Sequence, residues 1–139
     1  MARLTAVLLL LLSAVPARAE GIGPSEQAAI AAVIEEQIAA FRTDDAVRAF
    51  GYASPAIQEK FGTPEEFLEM VRTGYVEVYR AREVTFRDLV IEQGVPVQAV
   101  EIRGADGAGV LALYFMERQS DGSWKINGVI MTKLPERVA

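Results

Sequence analysis

Apolar side chains along this chain recur first at helical and then at alternating spacing, and the period changes near Arg82. Over residues 25–41, Ile30, Val33, Ile34, Ile38 and Phe41 return every three or four positions, with alanines filling the gaps. That spacing predicts a helix with one buried stripe, whose small residues let it lie close to a sheet. Arg42-Thr43-Asp44-Asp45 breaks the pattern, and Asp44 is expected to cap a short second helix through Phe50. Ser54-Pro55 is a cap followed by a first-position proline. It predicts one or two helical turns with Phe50, Ile57 and Phe61 on the buried side and Gly62 as the stop.

Residues 63–74 form the best-specified element. Thr63 and Glu66 have the spacing of a capping box, in which each side chain reaches the other residue's unpaired backbone N–H. Pro64 sits where no N–H is needed, and Glu65 and Glu66 suit the positive end of the helix dipole. Phe67, Met70 and Val71 make the core stripe, which Leu68 widens. Gly74 is expected to close the helix in the left-handed conformation, with Tyr75 packed on Met70.

Beyond Arg82 the pattern is that of strands. Residues 83–92 alternate, with Val84 and Phe86 on one face. The phase is lost at Asp88-Leu89-Val90-Ile91, which predicts a bulge or burial on both faces. Gly94 marks a turn into residues 95–103, where Pro96 belongs at the strand start or on an edge. Asp106-Gly107 and Asp121-Gly122 are hairpin signals on either side of residues 110–119, which are apolar on both faces, and residues 124–133 form the last strand. The order predicts an α+β domain, with N-terminal helices packed on a curved antiparallel sheet of about four strands. A strongly bent sheet would wrap the helices into a cone with a cavity.

The first residues belong to a different pattern. A basic start at Arg3, an apolar run containing five consecutive leucines, and Ala17-Arg18-Ala19 read as a secretory signal peptide over residues 1–19. Cleavage before Glu20 would leave residues 20–139 as one domain, exported to the periplasm and without a membrane anchor. The chain carries 14 basic and 19 acidic side chains for a net charge of −5. Without Arg3 and Arg18 the balance is 12 against 19, near −7. Such acidity disfavours nucleic acid and anionic membrane surfaces as partners. Cysteine and histidine are both absent. This excludes thiol nucleophiles, Ser-His-Asp and Cys-His catalysis, and zinc sites built on nitrogen or sulfur ligands. No cofactor or metal is expected, and carboxylates, Lys and Tyr remain as the available acids and bases.

Several motifs run through the mature part: Ala40-Phe41-Arg42-Thr43-Asp44-Asp45, Ala49-Phe50, Ala53-Ser54-Pro55-Ala56-Ile57-Gln58, Met70-Val71-Arg72-Thr73-Gly74-Tyr75, Val78-Tyr79-Arg80 and Asp121-Gly122-Ser123-Trp124-Lys125-Ile126. With their order, they make the chain resemble the nuclear-transport-factor-2-like superfamily, also described as SnoaL-like or cystatin-like. Within it the chain resembles a bacterial family known only as a domain of unknown function. The resemblance implies a cone-shaped domain, often dimeric through its sheet, and it implies no activity. Enzymes of that superfamily such as ketosteroid isomerase and scytalone dehydratase place Asp, His or Tyr in the cone. Their catalytic residues match no positions here.

The most suggestive side chains are Tyr75 and Tyr79 with Arg80, Arg82 and Arg87, which could hold a carboxylate or phosphate at a cavity mouth. In the alternative, the tyrosines pack the helix-to-strand junction and the arginines pair with Glu77, Glu83 and Asp88. Asp88 could serve as a general base if it pointed into a dry cavity, whereas a bulge or solvent-facing edge would account for it without chemistry. Tyr52 and Tyr114 could donate to a ligand carbonyl, although core packing explains them as well. Trp124 is a packing residue first and a pocket wall second. The candidate ligand pocket therefore comprises Phe41, Phe67, Met70, Val71, Tyr75, Tyr79, Arg80, Asp88, Tyr114 and Trp124. The leading expectation is a non-catalytic domain that binds a small apolar or amphipathic ligand or a partner protein. Its rivals are a cofactor-free isomerase, dehydratase or hydrolase, and a structural adaptor whose homodimer buries Leu111, Leu113 and Phe115 or the alternate face of that strand.

Overall fold

The computed structural model describes residues 21–136, so the expected signal peptide lies outside the described residues. Helix α1 (Pro24–Arg42) starts on a proline and buries Ile30, Ile34, Ile38 and Phe41 along one stripe. Ala40, also buried, keeps that stripe thin enough for close approach. Two short helices follow, α2 (Ala46–Gly51) and α3 (Pro55–Phe61), and then α4 (Pro64–Gly74) and the single turn α5 (Val76–Tyr79).

The caps differ from expectation at three points. Asp45, not Asp44, caps α2 by accepting from the Arg48 N–H at 3.1 Å. Asp44 instead ends α1 with a left-handed φ of 54°, and its carboxylate is taken by Tyr79 and Arg80. At α4, Thr63 Oγ1 accepts from the Glu66 N–H at 3.2 Å, but the exposed Glu66 carboxylate makes no return bond, so half of the capping box forms. Gly74 remains helical. The Tyr75 N–H bonds to the Val71 carbonyl, and the chain turns straight into α5 without a left-handed residue.

The strands are β1 (Glu83–Glu92), β2 (Val95–Arg103), β3 (Gly109–Arg118) and β4 (Trp124–Lys133), paired antiparallel in the order β1-β2-β3-β4. The domain is therefore α+β, with helices first and an open meander after. The β1–β2 turn places Gln93 and Gly94 at φ 49° and 79°, the left-handed pair that a two-residue hairpin requires. Pro96 sits at the start of β2, one residue before pairing to β3 begins, and so interrupts no β2–β3 ladder bond. The expected irregularity in β1 is a register shift between Phe86 and Leu89, with Asp88 inside it.

One face of the sheet carries Val100 and Ile102 of β2, Val110, Ala112, Tyr114 and Met116 of β3, and Trp124 and Ile126 of β4, all packed in a common core with α1 and α4. The other face carries Val97, Leu111, Leu113, Phe115 and Ile130, which stand outside that core. Phe67 is the hub between helices. Its ring lies 6.1 Å from Phe41, 5.5 Å from Phe50 and 5.9 Å from Phe61, all within aromatic contact range.

Candidate functional site: an apolar cleft between the short helices and the last strand

Two local devices open a cleft beside β4. The first is the cap of α3. Ser54 is fully buried, accepts from the Ile57 N–H at 3.3 Å and donates to Asn127 Oδ1 at 2.7 Å, tying α3 to β4. Backbone bonds reinforce the tie, from Ser54 N–H to the Ile126 carbonyl and from Ile126 N–H to the Tyr52 carbonyl. The second is a bulge in β4. Phe115 pairs with Gly128 and Met116 with Ile126, which leaves Asn127 as the extra residue. The short α3 therefore covers the beginning of β4 and stops covering it at the bulge.

Below that point lies an open cleft of about 730 Å³. α3 contributes Ile57, Lys60 and Phe61, one turn apart on a single side, and α4 contributes Phe67, Met70 and Val71. Phe41 and Gln37 of α1 reach it from the core, with Gln37 held by its bond to the Ala49 carbonyl at 3.1 Å. Tyr75 closes one end, its hydroxyl donating to the Val129 carbonyl at 3.2 Å. The β4 wall is Ile126 to Ile130, and Val95 and Phe115 extend the lining toward the other face of the sheet.

Half of the expected pocket residues meet here. Phe41, Phe67, Met70, Val71 and Tyr75 line the cleft, whereas Tyr79, Arg80, Asp88, Tyr114 and Trp124 do not. Tyr79 is buried at the end of α5 and donates its hydroxyl to Asp44, under the Arg80 guanidinium, which lies 4.1 Å from its ring centroid. That hydrogen bond, then the one from Arg80, holds the Asp44 carboxyl below its ordinary value, and the same bond with burial raises the Tyr79 phenol. This cluster locks α5 to the end of α1. Arg80 thus pairs with Asp44 and Arg87 with Glu101, not with Glu77 and Asp88. Asp88 is exposed. Tyr114 is fully buried in the core, its hydroxyl without a partner among the described residues, and burial pushes its pKa up. Trp124 packs in the core, with Arg118 5.8 Å from its ring centroid.

Lys60, Asn127 and Val129 also line the cleft, outside the expected set. The i, i+3, i+4 spacing of Ile57, Lys60 and Phe61 after the Ser54-Pro55 cap was a usable signal for the first. Asn127-Gly128 inside an apolar strand was the signal for the bulge.

Fold and cleft together define an α+β domain with one large apolar cleft among its described residues, bounded by α3, α4 and the bulged edge of its sheet. The chain belongs to the family described as Domain of unknown function (DUF4864), whose model matches residues 24–139. A comparison with curated proteins gives no match.

Proposed function

We propose that this is an exported binding domain without catalysis, whose cleft takes a small apolar or amphipathic ligand. The cleft carries the reading. Its volume falls within the range of small-molecule sites, and aromatic and aliphatic side chains supply most of its walls. Its titratable side chains are Lys60 and Tyr75, and the Tyr75 hydroxyl already donates to Val129. An acid–base mechanism through Asp88 would need that carboxylate in the cleft, and it lies exposed on β1. Export rests on the signal-like pattern of residues 1–19, and the likeness to the nuclear-transport-factor-2-like superfamily is consistent with helices followed by a four-stranded meander.

Native mass spectrometry of the protein isolated from its own host tests this. The expected result is a bound small molecule released on denaturation, together with saturable binding of the neutral apolar dye Nile red. A ligand-free species that also ignores the dye would overturn the reading.

A second reading is a homodimer formed through the sheet. Val90 and Ile130 are 51% and 56% exposed and lie on the face away from α1, Val90 paired with Val97 and Ile130 with Leu113. Light scattering would then give a dimer mass that Ile130→Lys reduces to monomer. A monomer at every concentration would contradict it.

A further inference from the structure

The cleft holds a single formal charge. Among its lining residues Lys60 alone is charged, and no carboxylate joins it, in a protein whose net charge is −5. Lys60 enters no ion pair among the described residues. Its ammonium stands 5.5 Å from the ring centroid of Phe61, itself a wall of the cleft, so the charge rests against the aromatic lining.

Asn127 offers a second donor, and its orientation follows from its neighbour. Ser54 is buried, its oxygen accepts from the Ile57 N–H, and its hydroxyl donates to Asn127 Oδ1. The amide's Nδ2–H groups then point away from Ser54, on an exposed residue, and have no acceptor among the described residues. An ammonium and an amide donor at the margin of an apolar trough complement an anion joined to an apolar chain. One lysine suits a singly charged carboxylate better than a dianionic phosphate, which calls for several cations or a guanidinium fork.

We propose that the ligand is an amphipathic carboxylic acid, its tail along Phe61, Phe67, Met70 and Val129 and its head group at Lys60 and Asn127. This rests on the ligand-site reading of the cleft and adds the head-group class.

Displacement of Nile red from the wild-type protein, using decanoate, decanol and decylamine below their micellar concentrations, tests the assignment. Decanoate should bind roughly tenfold tighter than decanol at low salt, the preference expected of one partly solvated charge-assisted contact. In Lys60→Met that ratio should fall to about one, and in Lys60→Glu decylamine should overtake decanoate, as charge complementarity requires. Both substitutions fall on an exposed side chain, and circular dichroism checks that both variants fold. Equal affinity of decanoate and decanol in the wild type, or a preference that survives in Lys60→Met, would overturn the head-group assignment while leaving the cleft a ligand site. A wild-type protein that binds neither Nile red nor any of the three amphiphiles would overturn both.

Discussion

Tyr114 and Tyr79 show how differently two buried phenols can be used. Tyr79 has a carboxylate partner in Asp44, and its hydroxyl joins two helices. Tyr114 OH has no partner among the described residues, so no protein group there compensates the desolvation of its hydroxyl on folding. An unpaired buried hydroxyl costs roughly 1–3 kcal/mol. Tyr114→Phe removes that group and keeps the ring, so urea denaturation should show a gain of about 1 kcal/mol. A loss of similar size would mean that the hydroxyl is satisfied after all. The same comparison explains why neither residue serves the cleft. Aromatic side chains at inward-facing positions were legible as buried, but which of them reach a surface depends on the elements that cover them.

At the scale of elements, local chemistry was legible where one residue decides the outcome. Thr63 caps α4, and Pro64 starts it. Thr63→Ala should lower stability by about 1 kcal/mol in the same assay. Because the Glu66 return bond does not form, Glu66→Ala should cost far less, and an equal loss from the two would show a complete capping box in solution. The strand limits followed from period two to within one residue, and of the two readings of its interruption at Asp88, a bulge or burial on both faces, β1 shows the bulge. Gly74 did not follow, because a glycine after a helix marks its end only when the chain leaves the helical direction there. Here Val76 begins another turn, and Tyr75 is committed to Val129. The β4 bulge was also missed. Apolar residues on both sides of Asn127-Gly128 kept the strand pattern intact while the register shifted beneath it.

For the molecule as a whole, alternation and helical stripes specify which residues turn inward, and that was enough to define the class. They do not specify where two layers fail to meet. The cleft exists because α3 is short and β4 bulges beneath it, a relation between segments some seventy residues apart, as in the |i−j| = 73 bond from Ser54 to Asn127. Hence the helical stripes turned Phe41, Phe67, Met70 and Val71 inward and the helix-to-strand connector singled out Tyr75, while Lys60 and Asn127 were not singled out.

The charge pattern has its own consequence at this scale. The carboxyls of Asp44, Glu69, Glu101 and Asp121 all lie below their ordinary values, chiefly through hydrogen bonds from Tyr79, Arg72, Arg87 and Ser123 respectively. A carboxyl lowered in the folded state contributes stability that is complete above its unfolded pKa and is lost as pH falls through the folded value. With no histidine to titrate, stability should change little from about pH 5 to 8 and decline below about pH 4. The contributions of Asp44, Glu69 and Asp121 are small because these groups face solvent, whereas Glu101 is 19% exposed between Arg87 and Arg103 and contributes the most. Urea midpoints measured across this range would check it, and a marked fall between pH 5 and 8 would refute it.

The most direct measurement is a two-dimensional amide NMR titration of the protein with decanoate. A ligand cleft predicts saturable shifts grouped at Phe61, Met70, Val71, Gly128 and Val129. Shifts confined to Leu111, Leu113 and Thr132 on the opposite face, or none at any concentration, would contradict it.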